Sequence, residues 1–397
     1  MEFRVNAFID DITSKYVKGY ARVSNSPETK LNIDIYNGPE LLGTVTANQY
    51  RPDLAAKGMG DGVFGFFFQF QNEIINLSQL KVFIKGFPNP IPLSHEARTL
   101  FFIKSNNQKV RNFKESDFDN ALNFVFCFDR NFFEHFVVLL VSILEKHKNI
   151  NKELIFHIVH ERLKFEDFLI LERLASKYKF NLNLFDITDK VKIQNFPPVG
   201  RYAQNLYYKM VFPEILPKAV KKVLYLDIDI IVNEELTELF NTDLKDKYLA
   251  AAVEEGLMPQ ADDQRKRLML KDDTDYFNAG TMLINLEKWR NDNIKAKIID
   301  FVNKYPYRII YADQDLLNAI AAGDYIQLHP KYNVQWPNFY ERRFKSPFSD
   351  DEFRKSKESP AIIHFIGPNK PWHILNRHPF KNLYWKYLNM LNFDLNI

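Results

Sequence analysis

Residues 222–231 read Lys222-Val-Leu-Tyr-Leu-Asp-Ile-Asp-Ile-Ile231, an apolar, β-branched run that carries two carboxylates, Asp227 and Asp229, two positions apart. The run predicts a buried strand with acids at its tip. Strand side chains alternate between faces, so both carboxylates are expected on one side, where they can share a divalent cation or hold a phosphate-bound metal between them. Unpaired carboxylates in an apolar strand are costly to bury, and a metal removes that cost. Alone, the pair serves equally well as a solvated strand end or as a cap for the stretch that Glu234 and Glu235 open. The rest of the chain decides between these readings.

Upstream, strands and helices alternate. Asn123-Phe-Val-Phe-Cys-Phe128 predicts a buried strand, and residues 132–146 an amphipathic helix with Phe133, Phe136, Leu139, Leu140 and Ile143 on one face. Strands at 154–159 and 181–185 flank a helix at 165–178, and a helical region near 206–216 leads into the acid-tipped strand. This order predicts an α/β, Rossmann-like, mostly parallel sheet whose ligands bind at the carboxyl ends of its strands. Asp129, Asp227 and Asp229 fall at such ends, in one expected crevice. Residues 1–105 differ. Alternations at Leu31, Ile33, Ile35 and at Phe64, Phe66, Phe68, Phe70, with turns at Asn37-Gly38-Pro39 and residues 58–62, predict a β-sandwich-like module. The polar, basic stretch Lys104–Lys114 has no apolar period and reads as part of a linker over 106–120; a catalytic domain is placed at 121–378 and an aromatic, basic tail at 379–397.

Composition narrows the function. Fifty-three basic and 50 acidic residues leave a net charge of +3, which argues against a dedicated nucleic-acid binder. The single cysteine, Cys127, excludes an internal disulfide and a cysteine-based zinc cluster. The first ten residues contain acids and no apolar signal segment, and no uncharged apolar run approaches the roughly 18 residues of a membrane span. A cytoplasmic location is expected. Glycine signatures of dinucleotide and phosphate-loop folds are absent from the sequence.

Four segments accompany the acid pair. In Asp275-Tyr-Phe-Asn-Ala-Gly280, a small Ala279-Gly280 turn is expected to let a ligand approach the backbone, while Asn278 offers an amide. Asp313, Gln314 and Asp315 precede a helix, where they serve as cap and dipole partners or hold sugar hydroxyls near a reacting carbon. Ile362-Ile-His-Phe-Ile-Gly-Pro-Asn-Lys-Pro-Trp-His373 combines an imidazole, a glycine and an ammonium in a proline-ordered loop, a set suited to a metal-bound diphosphate. Asp129-Arg-Asn131 sits where a base or ribose would bind. Two carboxylates and an imidazole fit Mn²⁺ somewhat better than Mg²⁺.

With these residues in order, the sequence resembles glycosyltransferase family 8, retaining enzymes that include bacterial lipo-oligosaccharide galactosyl- and glucosyltransferases and glycogenin. The matching pieces are Val223-Leu-Tyr-Leu-Asp-Ile-Asp229, Tyr276-Phe-Asn-Ala-Gly280, Asp313-Gln-Asp315 and His364-Phe-Ile-Gly-Pro-Asn-Lys-Pro-Trp372, within residues 123 to about 375. The resemblance implies a GT-A fold and transfer of a hexose from a UDP-sugar to a hydroxyl of a surface glycan or lipid-linked glycan. It also implies that Asp227, Asp229 and His364 bind the metal and that Gly367 and Lys370 hold the diphosphate. Asp129 and Asn131 look like uridine and ribose contacts, with Cys127, Lys209 and Ile228 beside them in the donor pocket. Asn278, Ala279, Asp313 and Gln314 would surround the donor sugar, Gln314 nearest the reacting carbon; Glu255 lies where the family contacts acceptor. This chain has Tyr207-Tyr-Lys209 where the family commonly has Tyr-Tyr-Arg, and a lysine cannot fork onto two acceptors; looser donor binding or help from Arg201 is expected. A catalytically weak glycan-binding protein and a nucleotidyltransferase are the competing readings. The aromatic, basic C-terminal segment is expected either to pack on the catalytic domain or to touch a membrane.

Overall fold

The computed structural model describes residues 4–74, 76–188, 204–255, 261–271, 273–335 and 348–395. The chain divides into two units, Met1–Asn112 with Lys164–Glu172, and Phe113–Leu163 with Arg173–Ile397.

In the first unit, strands Val5–Ile12, Tyr16–Val23, Val63–Gln69 and Gln49–Tyr50 form one sheet in that order, and Glu40–Thr46, Asn32–Asn37 and Leu80–Ile84 form another. Alternate residues of both sheets, among them Val17, Ala21, Phe66, Ile33, Ile35 and Val82, meet in one core, each large apolar chain contributing about 1.5–3 kcal/mol. The expected sandwich is therefore present, and its hairpin turns at Gly38 with φ of 57°. The polar stretch expected as a linker is different: residues 104–111 are the second half of helix His95–Arg111, and Glu115–Asn120 is helical too. Only Ala97, Phe102 and Val110 of the longer helix are buried, too few to show an apolar period.

The second unit is built on a seven-stranded sheet in the order Asn181–Asp186, Leu154–Glu161, Leu122–Asp129, Lys222–Leu226, Phe277–Asn285, Leu249–Val253, Tyr325–Gln327. Neighbours are parallel except where Phe277–Asn285 runs against the strands on both its sides. The mostly parallel α/β sheet expected from the strand–helix alternation is thus in place. Helix Phe133–His147 is apolar on nearly every side and buried on nearly every side, which explains its Val/Leu-rich sequence.

One departure from expectation positions the site. The apolar run 222–231 is not one strand. It leaves the large sheet at Leu226, turns through residues 227–229, and resumes as Ile230–Val232 in a separate three-stranded sheet with Ile362–His364 and Val334–Gln335. There Ile230 pairs with His364 and Gln335 pairs with His364 from the other side. The Val232 amide donates to Ser142 Oγ at 3.1 Å, tying this small sheet to helix Phe133–His147. The acids converge because a turn is held between two sheets, and strand alternation plays no part.

Candidate metal and donor site

The turn is fixed at both ends by backbone hydrogen bonds. Asp227 N donates to Gly280 O at 2.8 Å, and Phe365 N donates to Asp229 O at 2.9 Å. One ligand atom each from Asp227, Asp229 and His364 lie within 4.8 Å of one another. His364 Nε2 is 3.3 Å from Asp229 Oδ1 and 3.8 Å from Asp227 Oδ2.

A buried amide relay sets the histidine's tautomer. The Gly280 amide donates to Asn278 Oδ1 at 2.9 Å, so that oxygen is an acceptor, and Asn278 Nδ2 donates to Glu254 at 2.6 Å. Asn333 Nδ2 also donates to Asn278 Oδ1, at 2.8 Å, which turns Asn333 Oδ1 toward His364 Nδ1 at 3.0 Å. Nδ1 must then carry the proton and Nε2 presents a lone pair to the acids. A lone pair facing two carboxylates is a donor set for a cation. Gly280 completes the fit: a Cβ there would lie 2.2 Å from His364 Cε1 and 2.9 Å from Asp227 Oδ2. Its place is inside strand Phe277–Asn285, so the expected Ala279-Gly280 turn is a stretch of strand instead.

Two lysines neutralise the acids. Buried Lys209 donates to Ala279 O at 3.0 Å, and its Nζ lies 2.5 Å from Asp313 Oδ2, 3.4 Å from Asp227 Oδ1 and 4.3 Å above the Tyr225 ring. Burial opposes this ammonium's charge, but Asp227 and Asp313 outweigh it and hold the Lys209 pKa above its ordinary value. Burial also raises the Asp313 carboxyl, with Lys209 pulling the other way. Tyr225 donates to Asp227 Oδ1 at 2.5 Å. Lys370 Nζ pairs with Asp229 and donates to Phe365 O at 2.9 Å. Desolvation drives the half-buried Cys127 thiol up to about 12, so it is inert in acid–base terms.

These groups wall a cleft of about 460 Å³. Of the residues singled out in the sequence, Cys127, Asp129, Lys209, Asp227, Ile228, Asp229, Asp313 and Lys370 line it. Asn131, Asn278, Ala279, Gln314, His364 and Gly367 are not among its lining residues. Asn131 is exposed and gives its backbone N–H to Asp129 Oδ1 at 2.8 Å. Gln314 receives the Ala279 N–H at 3.0 Å and reaches Glu254 at 3.3 Å. Gly367 takes φ of 80° with open space where a Cβ would be, so backbone conformation is what calls for glycine. Exposed His373 receives the Lys370 N–H at 3.3 Å and steadies the loop. Glu255 lies outside this network and pairs with Lys357 at 3.5 Å; its neighbour Glu254 is the acid beside Gln314. Arg201 lies outside the described residues.

Sequence reasoning missed several lining residues: Phe132, Tyr208, Tyr225 and Trp372. Tyr208 donates to Glu161 Oε2 at 2.5 Å, and Trp372 stacks on His135 with ring centres 3.6 Å apart. Tyr225 was legible, since it stands two residues before Asp227 in the run 222–231. Nothing local marks Asn333.

The family model for glycosyl transferase family 8 matches residues 123–375, the stretch that holds every group just described. The chain belongs to glycosyl transferase family 8. This glycosyltransferase is 28% identical over 277 residues to general stress protein A of Bacillus subtilis, a match covering 68% of the chain and 94% of that protein. It is 30% identical over 261 residues to lipopolysaccharide glucosyltransferase WaaO of Escherichia coli, covering 64% and 73%. Among solved structures it is similar to the galactosyltransferase LgtC in complex with donor and acceptor sugar analogues, with a TM-score of 0.60, 26% identity, and coverage of 68% of this chain and 95% of that one. The glycosyltransferase therefore has the GT-A type of sheet in residues 123–375. None of its described helices is long and apolar enough to cross a membrane.

Proposed function

We propose that this family 8 glycosyltransferase is a retaining, metal-dependent hexosyltransferase. It moves galactose or glucose from a UDP-sugar to a hydroxyl of a bacterial surface glycan such as lipopolysaccharide or capsule. The observation that carries this reading is the convergence of Asp227, Asp229 and His364, one ligand atom of each within 4.8 Å of the others, beside a cleft that Asp227, Asp229 and Lys370 line. Relatives named as lipopolysaccharide glucosyl- and galactosyltransferases support the acceptor class. Asp227, Asp229 and His364 would hold Mn²⁺ or Mg²⁺, which when bound supplies Lewis-acid neutralisation of a departing diphosphate.

The chain's own groups divide the remaining work. Lys370 is placed to transfer its charge from Asp229 to a phosphate oxygen. Asp129, Cys127 and Ile228 line the part of the cleft assigned to the nucleoside. Lys209 holds Asp313 toward the donor sugar, and Gln314, tied to Ala279 N–H and Glu254, is a rigid amide with no nucleophilic oxygen to spare. Attack from the same face accounts for retention: the acceptor O–H breaks, its oxygen bonds to the anomeric carbon as the carbon–phosphate oxygen bond opens, and that phosphate oxygen takes the proton. Residues 121–378 carry this chemistry, and the β-rich unit that runs to Asn112 is a separate module.

The test is release of UDP from a panel of UDP-sugars, with and without Mn²⁺. Turnover that needs no metal, or that survives Asp227→Ala and Asp229→Ala, sinks the reading. A covalent glycosyl-enzyme trapped on a pocket side chain would overturn same-face attack.

A further inference from the structure

In the β-rich unit, strand Tyr16–Val23 buries Val17 and Ala21 in the core, so Tyr16, Lys18, Tyr20 and Arg22 take the outer face of their sheet. Register extends that face over both neighbouring strands: Phe8 lies opposite Tyr20, and Phe67 lies opposite Lys18. An outer face is ordinarily polar, yet Phe8 and Phe67 are 37% and 41% exposed. They flank the central strand, two strand spacings or roughly 10 Å apart across the sheet. Tyr16 leans on Phe67 with ring centres 5.4 Å apart, and Phe8 leans on Tyr20 at 6.1 Å. Two aromatic pairs thus stand on either side of Lys18 on a rigid pleated surface. The core does not need the exposed rings, because it closes beneath them on Val17, Ala21 and Phe66.

The acids of this face are already paired. Asp10 meets Arg51 at 2.7 Å, and the same guanidinium holds Asp53 at 2.7 Å. Asp11 accepts the Tyr16 hydroxyl at 2.7 Å and lies 3.7 Å from Lys104 Nζ. The cations differ. Neither Lys18 nor Arg22 forms an ion pair among the described residues, and the Nε of half-buried Arg22 is shielded from water with no hydrogen-bond partner. The uncompensated charge of the face is therefore positive. Aromatic rings stack on the C–H faces of sugar rings while polar neighbours take the hydroxyls, and a guanidinium adds a bidentate fit to carboxylate or phosphate. A protein partner would want charge depleted from the centre of the patch, and Lys18 stands at the centre of this one.

We propose that this face of the β-rich unit binds an acidic glycan chain, one whose sugars carry carboxylate or phosphate groups. Phe8 and Phe67 stack on its rings, and Lys18 and Arg22 meet its anions. This rests on the transferase reading only for its use, which is to hold a glycan acceptor on the same chain as the catalytic unit and so raise its effective concentration. The binding itself needs no donor, metal or turnover.

Isothermal titration of the full chain, without UDP-sugar or metal, tests it. Hexagalacturonate offers carboxylates, phosphomannan offers phosphates, and neutral mannan offers neither. Saturable binding to at least one acidic glycan is expected, weakening as salt is raised and at least about tenfold tighter than binding to mannan. Phe8→Ala with Phe67→Ala should weaken it about tenfold, with thermal unfolding and UDP release unchanged, since neither ring lies in the core or the cleft. Arg22→Gln should cost about tenfold toward the acidic glycan and nothing toward mannan. Lys18→Gln, at an exposed position, should move affinity the same way and flatten its salt dependence. The proposal is overturned if neither acidic glycan binds, if mannan binds as tightly, or if the double alanine variant binds like wild type. Light scattering that shows a dimer dissolved by that variant would also overturn it, by giving the face to a second copy. Loss of UDP release with glycan binding intact would strike the transferase reading instead.

Discussion

His364 donates its Nδ1 proton to Oδ1 of Asn333 across 3.0 Å. That bond leaves Nε2 bare between Asp227 and Asp229, and it is anchored through Asn278 to the carboxylate of Glu254. The candidate metal site is therefore built outward from a buried acid that touches none of the three candidate ligands. Such outer partners fix ring orientation and raise ligand basicity.

Asn333→Ala should lower Mn²⁺ affinity by roughly 10- to 100-fold. Free Mn²⁺ measured by electron paramagnetic resonance during titration gives the number directly. An unchanged affinity would show that the relay does not orient the imidazole.

Gly280→Ala removes the space into which His364 and Asp227 fold. With His364 Cε1 only 2.2 Å from the new Cβ, the ring must shift, and turnover should fall by roughly 100-fold, as misplacement of about 1 Å commonly costs. Circular dichroism should stay native, because Gly280 is paired in neither ladder and the strand's register is carried by Thr281–Asn285. Full activity in this variant would contradict the geometry of the site.

Much of the fold is legible because alternating strands and helices leave separate periods. Asn123–Phe128 and Leu154–Val159 are nearly all apolar, as buried parallel strands are, while Asn181–Phe185 alternates asparagine with leucine. What could not be read was pairing. Nothing in the run 222–231 says that Leu226 and Ile230 belong to different sheets, because both halves are equally apolar. Helix His95–Arg111 escaped for the opposite reason: its burial is sparse, and the one usable signal was Ser94, whose side chain accepts the Ala97 N–H at 3.2 Å. At the site, ligands were recognisable by chemistry, whereas Asn333 and Glu254 acquire meaning only from neighbours 31 and 24 residues away.

Burial pushes the Glu255 carboxyl up to about 7, with Lys357 only partly offsetting it. Its folded pKa lies above its unfolded value, so the protonated form favours the fold: this contribution is complete below about 4.5 and is lost as pH rises through about 7. Ionising it costs on the order of 3 kcal/mol. Urea unfolding of wild type and Glu255→Gln at the two ends of that window should show the variant gaining relative stability at the higher pH. A constant difference between the two proteins across the window would place Glu255 in water.

Lys209 is the residue at which this chain departs from the arginine common in its family, and its surroundings explain what a lysine does there. Its Nζ reaches Ala279 O and two carboxylates while sitting over Tyr225, so its role is to brace Asp227 and Asp313 rather than to fork onto one ligand. Lys209→Met leaves both acids without that partner in a half-buried cleft, and breaking buried pairs of this kind costs about 3–5 kcal/mol. The variant should therefore unfold at lower denaturant and lose turnover. Lys209→Arg keeps the charge and can reach both acids at once, so it should fold like wild type, with any change confined to the KM for the donor. Denaturant midpoints together with kcat and KM separate these outcomes; a stable, active Lys209→Met protein would remove the brace from the account.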